Sequence, residues 1–323
     1  MKEFRMFLSL CTESSVICHG NASVELAKKV SELTGIPLSN GYVKRFADGE
    51  ICMDLGGFLN NKHVVIIQST CPPVNDHLME LLLMISTAKR AGASQVTAVV
   101  PYFGYARQTD KHTPGAPISS ADVCKMIETM GADRAFTLDF HSVVCCGFFS
   151  PRVQFESFLV HSVAIEHFLS LGLDSFSVVS PDAGALKRAT AFSELFGEKL
   201  GEGSFVETIC MTKVRTRANE VDKMDLTGDV KGKNVILVDD MVDTAGTLVK
   251  AAEMLVKAGA EKVFAFVTHG LFSGPALDRI KDSKFTSVVV TDSILHRKEV
   301  LECPKIKVIS VAKFIANMLV GKP

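Results

Sequence analysis

The sequence predicts an α/β protein in which a mainly parallel sheet flanked by helices is built twice. Short runs of apolar and β-branched residues alternate with amphipathic stretches along all 323 residues, as strands and crossover helices do in parallel sheets. Glycines follow the amphipathic stretches where helices should end. One β-α-β pattern also recurs in the second half of the chain, which indicates a duplicated architecture.

The apolar runs define the predicted elements in chain order. Strands are predicted at 15–19, 64–68, 95–100, 134–138, 176–180, 206–211, 235–238, 263–268 and 288–291. Helices are predicted at 23–34, at 76–91 and, near the end of the chain, at 310–319. The first two are closed by Gly35 and Gly92, which are typical helix stops. The stretch 197–203 has the composition of a surface loop.

The recurring pattern suggests where the two halves meet. Residues 64–70 and 235–241 each lead through a helix to a matching Ala-Gly-Ala turn and another strand. The two segments could resemble each other only because all β-α-β units have similar patterns. The matched Ala-Gly-Ala turns favour a duplicated fold instead. We therefore expect domains over 1–157 and 158–309, with the terminal segment 310–323 packing on the first. The acidic pair Asp239 and Asp240, at the predicted strand end, occurs only in the second copy.

Composition limits the class of protein. The formal net charge is −1, which argues against nucleic-acid and membrane partners because both usually require a basic excess. The nine cysteines are scattered without a C-x-x-C pair, which favours a reducing compartment. The N-terminal apolar run is too short for a signal sequence, and no segment reaches the roughly 18 apolar residues of a membrane span. We expect a cytoplasmic protein.

The strongest sign of a site is a run that leaves a predicted strand and opens a helix. It reads Asp239, Asp240, Met241, Val242, Asp243, Thr244, Ala245, Gly246 and Thr247. Its small residues let backbone N–H groups converge on an anion, and the helix N-terminus adds positive potential. The paired acids would repel that anion, so sugar hydroxyls or a magnesium-bound water are their natural partners. An ordinary capped helix would not need three carboxylates. The run resembles the phosphoribosyl-binding signature of phosphoribosyltransferases.

Four further segments indicate which family within this group the sequence resembles. They read Arg-Phe-Ala-Asp-Gly-Glu at 45–50, Pro-Tyr-Phe-Gly-Tyr-Ala-Arg-Gln at 101–108, Asp-Phe-His at 139–141 and Ser-Pro-Asp-Ala-Gly at 180–184. Together they resemble the ribose-phosphate pyrophosphokinase family over residues 20–292. The resemblance implies two phosphoribosyltransferase-like domains that bind ATP and ribose 5-phosphate between them. The implied reaction moves the β,γ-diphosphate of Mg-ATP onto the C1 hydroxyl of ribose 5-phosphate.

The resemblance also implies a role for each matched residue. ATP would be bound by Phe46, Asp48, Gly49, Glu50, Arg107 and Gln108. The catalytic residues would be Lys213 and Arg215, on a mobile basic loop. Ribose 5-phosphate would be bound by Arg215, Asp239, Asp240, Asp243, Thr244, Ala245, Gly246 and Thr247. Magnesium would be bound by His141 and Asp182, with Asp139 in the same shell, and would arrive with ATP because these residues make no all-protein cage. Alone, each segment has a plainer interpretation as a turn, a surface loop, a structural histidine or a solvated basic loop.

Two other functions share part of this evidence. A phosphoribosyltransferase proper would share the 239–247 run but would not need the segments at 45–50 and 107–108. A weakly active regulatory subunit would usually lose the catalytic loop or the magnesium residues, which are present here. The family resemblance implies a homo-oligomer built from dimers, with a hexamer as one candidate. The segment 142–155, where related enzymes place regulatory and hexamer contacts, departs from the family pattern.

Overall fold

The computed structural model describes residues 14–173, 176–201, 203–214 and 223–321. The strands are β1 (Ser15–His19), β2 (Tyr42–Arg45), β3 (Ile51–Asp54), β4 (His63–Ile67), β5 (Gln95–Val100), β6 (Arg134–Leu138), β7 (Gln154–Phe158), β8 (Phe176–Ser180), β9 (Thr208–Val214), β10 (Lys223–Leu226), β11 (Asn234–Val242), β12 (Lys262–Gly270), β13 (Ser287–Thr291) and β14 (Ile306–Ile309). The helices are α1 (Val24–Thr34), α2 (Val74–Arg90), α3 (Ser119–Met130), α4 (His161–Leu169), α5 (Leu186–Leu200), α6 (Gly246–Lys257), α7 (Ala276–Asp282), α8 (Lys298–Leu301) and α9 (Ala312–Val320).

These elements divide into two compact units. The first takes in the described chain up to Leu159, together with Ser293–Leu295 and the segment from Ser310 onward, and the second takes in Val160–Asp292 and His296–Ile309. Within the described ranges, none of the helices has both the length and the apolarity that crossing a bilayer requires.

The first unit is built on a parallel sheet. Its five strands run in the order β1-β4-β5-β6-β7. All five residues of β4 are buried, which is typical of a parallel strand covered by helices on both faces. The predicted helix 23–34 begins one residue later, at Val24, and ends where Gly35 adopts the left-handed conformation and its N–H bonds to the Ser31 carbonyl. The terminal helix α9 packs against α1.

The second unit carries a seven-stranded sheet in the order β10-β9-β8-β11-β12-β13-β14. Only β10 is antiparallel to its neighbour in the described sheet. After β8 the chain adds β9 on one side and later β11 on the other. The strand order therefore reverses between β8 and β11, and open α/β sheets bind ligands at the carboxyl ends of strands at such a point.

The predicted α/β class is confirmed, although several elements begin or end a few residues away from their predicted positions; β9, for example, spans Thr208–Val214 and not 206–211. The strand predicted at 235–238 continues to Val242, because Asp239 and Met241 pair with Val267 and His269 of the equally long β12. The acidic pair therefore lies within the strand and not after it. The predicted loop at 197–203 was also wrong in part, since α5 continues to Leu200. Gly197 is inside that helix, where a Cβ would lie 2.9 Å from the Ser204 carbonyl oxygen, so the glycine serves close packing.

Strands β2, β3, β7, β10 and β14 were not predicted from the sequence. They are four or five residues long, and where their burial is known few positions are fully covered. Short, half-exposed strands lack the apolar run from which the other strands were recognised.

Candidate active site

The turn between β11 and α6 has the backbone of an anion-binding loop. Ala245 immediately precedes α6 and adopts the left-handed conformation, with φ 60°. It is buried, whereas Thr244 and Thr247 on either side are exposed. The two hydroxyl side chains are therefore accessible at the positive end of a helix of 12 residues.

The paired acids lie directly before this turn and influence one another. Asp240 is only 3 % exposed, and its backbone N–H donates to the Asp239 carboxylate over 2.9 Å. Burial, together with the neighbouring Asp240 carboxyl, raises the pKa of Asp239 to about 8, and the positive charge of Arg188 acts in the opposite direction. Two carboxyl groups so close together favour sharing a proton, and hydroxyl groups or a cation would relieve their repulsion.

Hydrogen bonds from the segment that follows β12 stabilise one side of the turn. The Ser273 N–H donates to the Asp243 carbonyl over 2.9 Å. From α7, the Arg279 guanidinium donates through Nη1 to the Thr244 carbonyl, also over 2.9 Å. Sequence reasoning missed Arg279, because no motif surrounds it and its contact with the loop is purely tertiary.

Asp182 lies at the same edge of the second unit's sheet. It follows β8, whose residue Val179 pairs with Leu237 of β11, so the two loops leave neighbouring parallel strands. Asp182 is exposed, but its Oδ1 accepts a hydrogen bond from the Ala185 N–H over 3.0 Å. One carboxylate oxygen therefore shapes the loop, and the other remains for a ligand.

The structure describes only part of the basic catalytic loop predicted from the sequence. The backbone of Lys213 lies in β9, where it pairs with Met224. Because β9 runs beside β8, with Cys210 opposite Ser180, Lys213 extends beyond the carboxyl end of β8. Arg215 lies outside the described residues.

In the first unit, the segment 45–50 that is predicted to bind ATP forms a well-defined hairpin between β2 and β3. The Phe46 N–H donates to the Glu50 carbonyl over 2.8 Å and the Gly49 N–H to the Phe46 carbonyl over 3.0 Å. Asp48 accepts the Glu50 N–H through Oδ1, over 3.0 Å, so one of its oxygens stabilises the turn. The Phe46 ring is 58 % exposed at the tip, where it could stack on a planar ligand.

The loop after β5 presents the next two predicted residues. Arg107 and Gln108 are exposed, while the aromatic residues Tyr102 and Phe103 preceding them are buried. The Gln108 side chain accepts a hydrogen bond from the Ser119 hydroxyl over 2.6 Å at the start of α3. The buried rings anchor the loop and leave its charged end in solvent.

Asp139 and His141, the two predicted magnesium residues after β6, differ in their exposure. Asp139 is 1 % exposed with φ 41°, and its N–H donates to the Phe158 carbonyl over 2.8 Å. His141, two residues later, is exposed. The left-handed backbone at Asp139 interrupts the strand, so the period of two does not continue through Phe140. Among the described residues, no group of three or more His, Cys, Asp or Glu side chains could enclose a metal ion.

Known proteins resemble this chain along nearly all of its length. The model of the N-terminal domain of ribose phosphate pyrophosphokinase matches residues 15–131, and that of the phosphoribosyl synthetase-associated domain matches residues 204–320. A ribose-phosphate pyrophosphokinase from Vibrio parahaemolyticus is 42 % identical over 302 residues, which is 93 % of each chain. Ribose-phosphate pyrophosphokinase A of Dictyostelium discoideum is 41 % identical over 304 residues, covering 94 % of this chain and 93 % of that one.

A solved structure agrees with these sequence matches. The crystal structure of phosphoribosylpyrophosphate synthetase from Mycobacterium smegmatis superimposes with a TM-score of 0.85 at 31 % identity, covering 94 % of this chain and 97 % of that one. At this coverage the match takes in residues of both units. The chain belongs to the ribose-phosphate pyrophosphokinase family.

Proposed function

We propose that this protein transfers the β,γ-diphosphate of Mg-ATP to the C1 hydroxyl of ribose 5-phosphate, giving phosphoribosyl pyrophosphate and AMP. The observation that carries the proposal is the turn after β11, in which a left-handed Ala245 opens α6 a few residues after two paired acids. That arrangement offers an anion site beside acceptors for hydroxyl groups, and ribose 5-phosphate carries both groups. Membership of a family of diphosphotransferases supports the same reaction.

The ribose 5-phosphate would be bound entirely by the second unit. Backbone N–H groups between Asp243 and Thr247, with the hydroxyls of Thr244 and Thr247, would bind the 5-phosphate at the N-terminus of α6. Asp239 and Asp240 would accept hydrogen bonds from the ribose hydroxyls. Burial and the neighbouring Asp240 carboxyl raise the pKa of Asp239, and a ligand that donates hydrogen bonds to both carboxylates would stabilise their charged forms.

ATP would be bound by segments of the first unit. Phe46 would stack on the adenine, while Glu50 and the free oxygen of Asp48 would accept from the exocyclic amine and the ribose; the backbone at Gly49 shapes this turn. Arg107 would bind the phosphates, since a guanidinium matches phosphate oxygens in a bidentate geometry. Gln108 would contact the base.

Magnesium would be bound mainly by the phosphates of ATP, because the described residues form no ligand cage. The exposed His141 and Asp182 are accessible to complete its coordination, and we assign direct contact to them. Asp139 is buried, so we give it a supporting role near the ion. When bound, magnesium would offset the negative charge of the transferred diphosphate.

In the reaction, the C1 oxygen would attack the β-phosphorus in line with the departing AMP. A bond from the C1 oxygen to the β-phosphorus forms as the bond from the β-phosphorus to the oxygen that bridges it to the α-phosphorus breaks. AMP leaves with that oxygen, and the proton of the C1 hydroxyl passes to solvent. Lys213 and Arg215 would neutralise the charge that grows on the bridging and leaving oxygens, since the protein mainly positions and compensates charge in such transfers. Arg215 would also contact ribose 5-phosphate.

The deciding experiment is a turnover assay with purified protein, Mg-ATP and ribose 5-phosphate, scored by chromatography for AMP and phosphoribosyl pyrophosphate. We expect both products in equal amounts, and neither when ribose 5-phosphate is omitted. Nucleotide formation from phosphoribosyl pyrophosphate and a free base, without AMP release from ATP, would favour a phosphoribosyltransferase instead. Absence of turnover with stimulation of an active homologue would favour a regulatory subunit.

Two properties of the protein in the cell accompany this proposal. All eight cysteines in the described residues are free thiols, which is typical of a reducing compartment such as the cytoplasm. We also infer a homo-oligomer built from dimers, by analogy with the family. Light scattering of the purified chain tests this inference, and a monomeric mass at assay concentration would contradict it.

A further inference from the structure

We propose that Arg279 is a positioning residue that holds the phosphate loop in its binding conformation. Its guanidinium fixes the peptide group between Thr244 and Ala245 so that the Ala245 N–H faces the anion. This inference rests on the proposed function, because it assumes that the turn after β11 binds the 5-phosphate of ribose 5-phosphate.

The first observation is the contact itself. Arg279 Nη1 donates to the Thr244 carbonyl over 2.9 Å. The same nitrogen lies 3.3 Å from the position that a Cβ on Gly246 would occupy. The guanidinium therefore lies against the loop between Thr244 and Gly246, and the missing side chain at Gly246 makes room for it.

Because of the geometry of the peptide bond, the contact with the Thr244 carbonyl also fixes the direction of the Ala245 N–H. A trans peptide is planar, with its carbonyl and its N–H pointing in opposite directions. Because Arg279 attracts the Thr244 carbonyl to one side of the loop, the N–H of Ala245 must point to the other side. A carbonyl released from Arg279 could rotate toward the anion and repel it.

The conformation of Ala245 shows why such a restraint is needed. A residue with a Cβ is strained at φ 60°, and strained residues persist where the surrounding structure over-determines them. Rotation of the peptide before Ala245 would relieve that strain and destroy the concave arrangement of N–H groups that binds anions. The Ser273 N–H restrains the adjacent Asp243 carbonyl over 2.9 Å, so the loop is held at two consecutive carbonyls.

The test is calorimetric titration of the full-length protein with ribose 5-phosphate. We expect Arg279→Gln to bind about tenfold more weakly, which corresponds to about 1.4 kcal/mol, with ATP affinity unchanged. Lys281→Gln is the matched control, because Lys281 is an exposed cation of the same helix that pairs only loosely with Asp278, at 3.9 Å. It should bind ribose 5-phosphate as the wild type does.

A double-mutant cycle separates positioning from a direct attraction between Arg279 and the phosphate. Glycine adopts the left-handed conformation without strain, so in an Ala245→Gly background the loss caused by Arg279→Gln should shrink to about threefold or less. An equal loss in both backgrounds would mean that the charge acts directly on the phosphate, and it would overturn the inference.

Two further results complete the test. Wild-type affinity in Arg279→Gln also contradicts a positioning role. If Arg279→Gln fails to fold, Arg279→Met keeps the aliphatic part of the side chain and removes the donor, and affinity for ribose 5-phosphate equal to the wild type would again contradict it. If the wild type takes up no ribose 5-phosphate, the proposed function itself fails and this inference falls with it.

Discussion

Arg45 and Asp76 form an ion pair, Nη2 to Oδ2 at 2.9 Å, that ties the β2–β3 hairpin to the first turn of α2. The preceding helical residue, Asn75, accepts a hydrogen bond from the Tyr105 hydroxyl. The first turn of α2 therefore contacts both the hairpin and the loop that we propose bind ATP. Neither contact follows from a motif, because each joins residues some 30 positions apart.

Removing this ion pair should weaken ATP binding without changing the chemistry. Both side chains are about two-fifths exposed, at 41 % and 42 %, so solvent screens the pair to roughly 0.2–1 kcal/mol. We expect Asp76→Asn to raise the KM for ATP by about two- to fivefold, with kcat within about twofold. The control is Glu25→Gln on α1, which loses an exposed pair with Lys28 at 2.8 Å. An unchanged KM for ATP would show that ATP binding by the hairpin does not depend on this ion pair.

Truncating the ring at the hairpin tip should affect ATP binding more strongly. Stacking of a base on an aromatic side chain contributes roughly 1–3 kcal/mol, so Phe46→Ala should weaken ATP binding by about tenfold or more and leave the affinity for ribose 5-phosphate unchanged. The matched control is Phe58→Ala, since Phe58 lies outside the hairpin and its ring is also exposed, at 73 %. Equal ATP affinities in the two variants would contradict the stacking role.

The raised pKa of Asp239 makes stability depend on pH. A carboxyl whose folded pKa of about 8 exceeds its unfolded value of about 4 stabilises the fold below pH 4, and that stabilisation is lost as pH rises through 8. Without ligand, the Tm of the wild type should fall between pH 5 and 9, and the fall should be smaller in Asp239→Asn, by roughly 5–10 °C. Thermal unfolding measures both. The exposed Glu253→Gln on α6 is the control, and parallel pH profiles for Asp239→Asn and wild type would refute the assignment.

Loss of the charge at Lys213 should affect the chemical step. One preorganised charge at a developing anion is worth roughly 2.7–4 kcal/mol, so Lys213→Ala should lower kcat by about 100-fold or more with little change in ATP affinity. Lys199→Ala, which removes an exposed lysine from the last turn of α5, should turn over normally. Near wild-type turnover in Lys213→Ala would exclude the catalytic role.

Local patterns predicted most of the fold. Strands β1, β5, β6 and β8 begin and end at the predicted residues, because buried parallel strands are continuous apolar runs bounded by polar residues. The ends of β11 and α5 were misjudged. Both depend on what lies beside them, β12 in one case and the backbone of Ser204 in the other.

The amino-acid sequence by itself determined the α/β class, the family and the segments that carry the proposed chemistry, because each is encoded in neighbouring residues. Only the tertiary structure decided which partners hold those segments. Two such contacts are the hydrogen bond from Arg279 to the Thr244 carbonyl and the ion pair between Arg45 and Asp76. Both form because elements that are distant in sequence pack side by side. The raised pKa of Asp239 also depends on the tertiary structure, since its carboxyl is desolvated only when β11 lies inside the folded sheet.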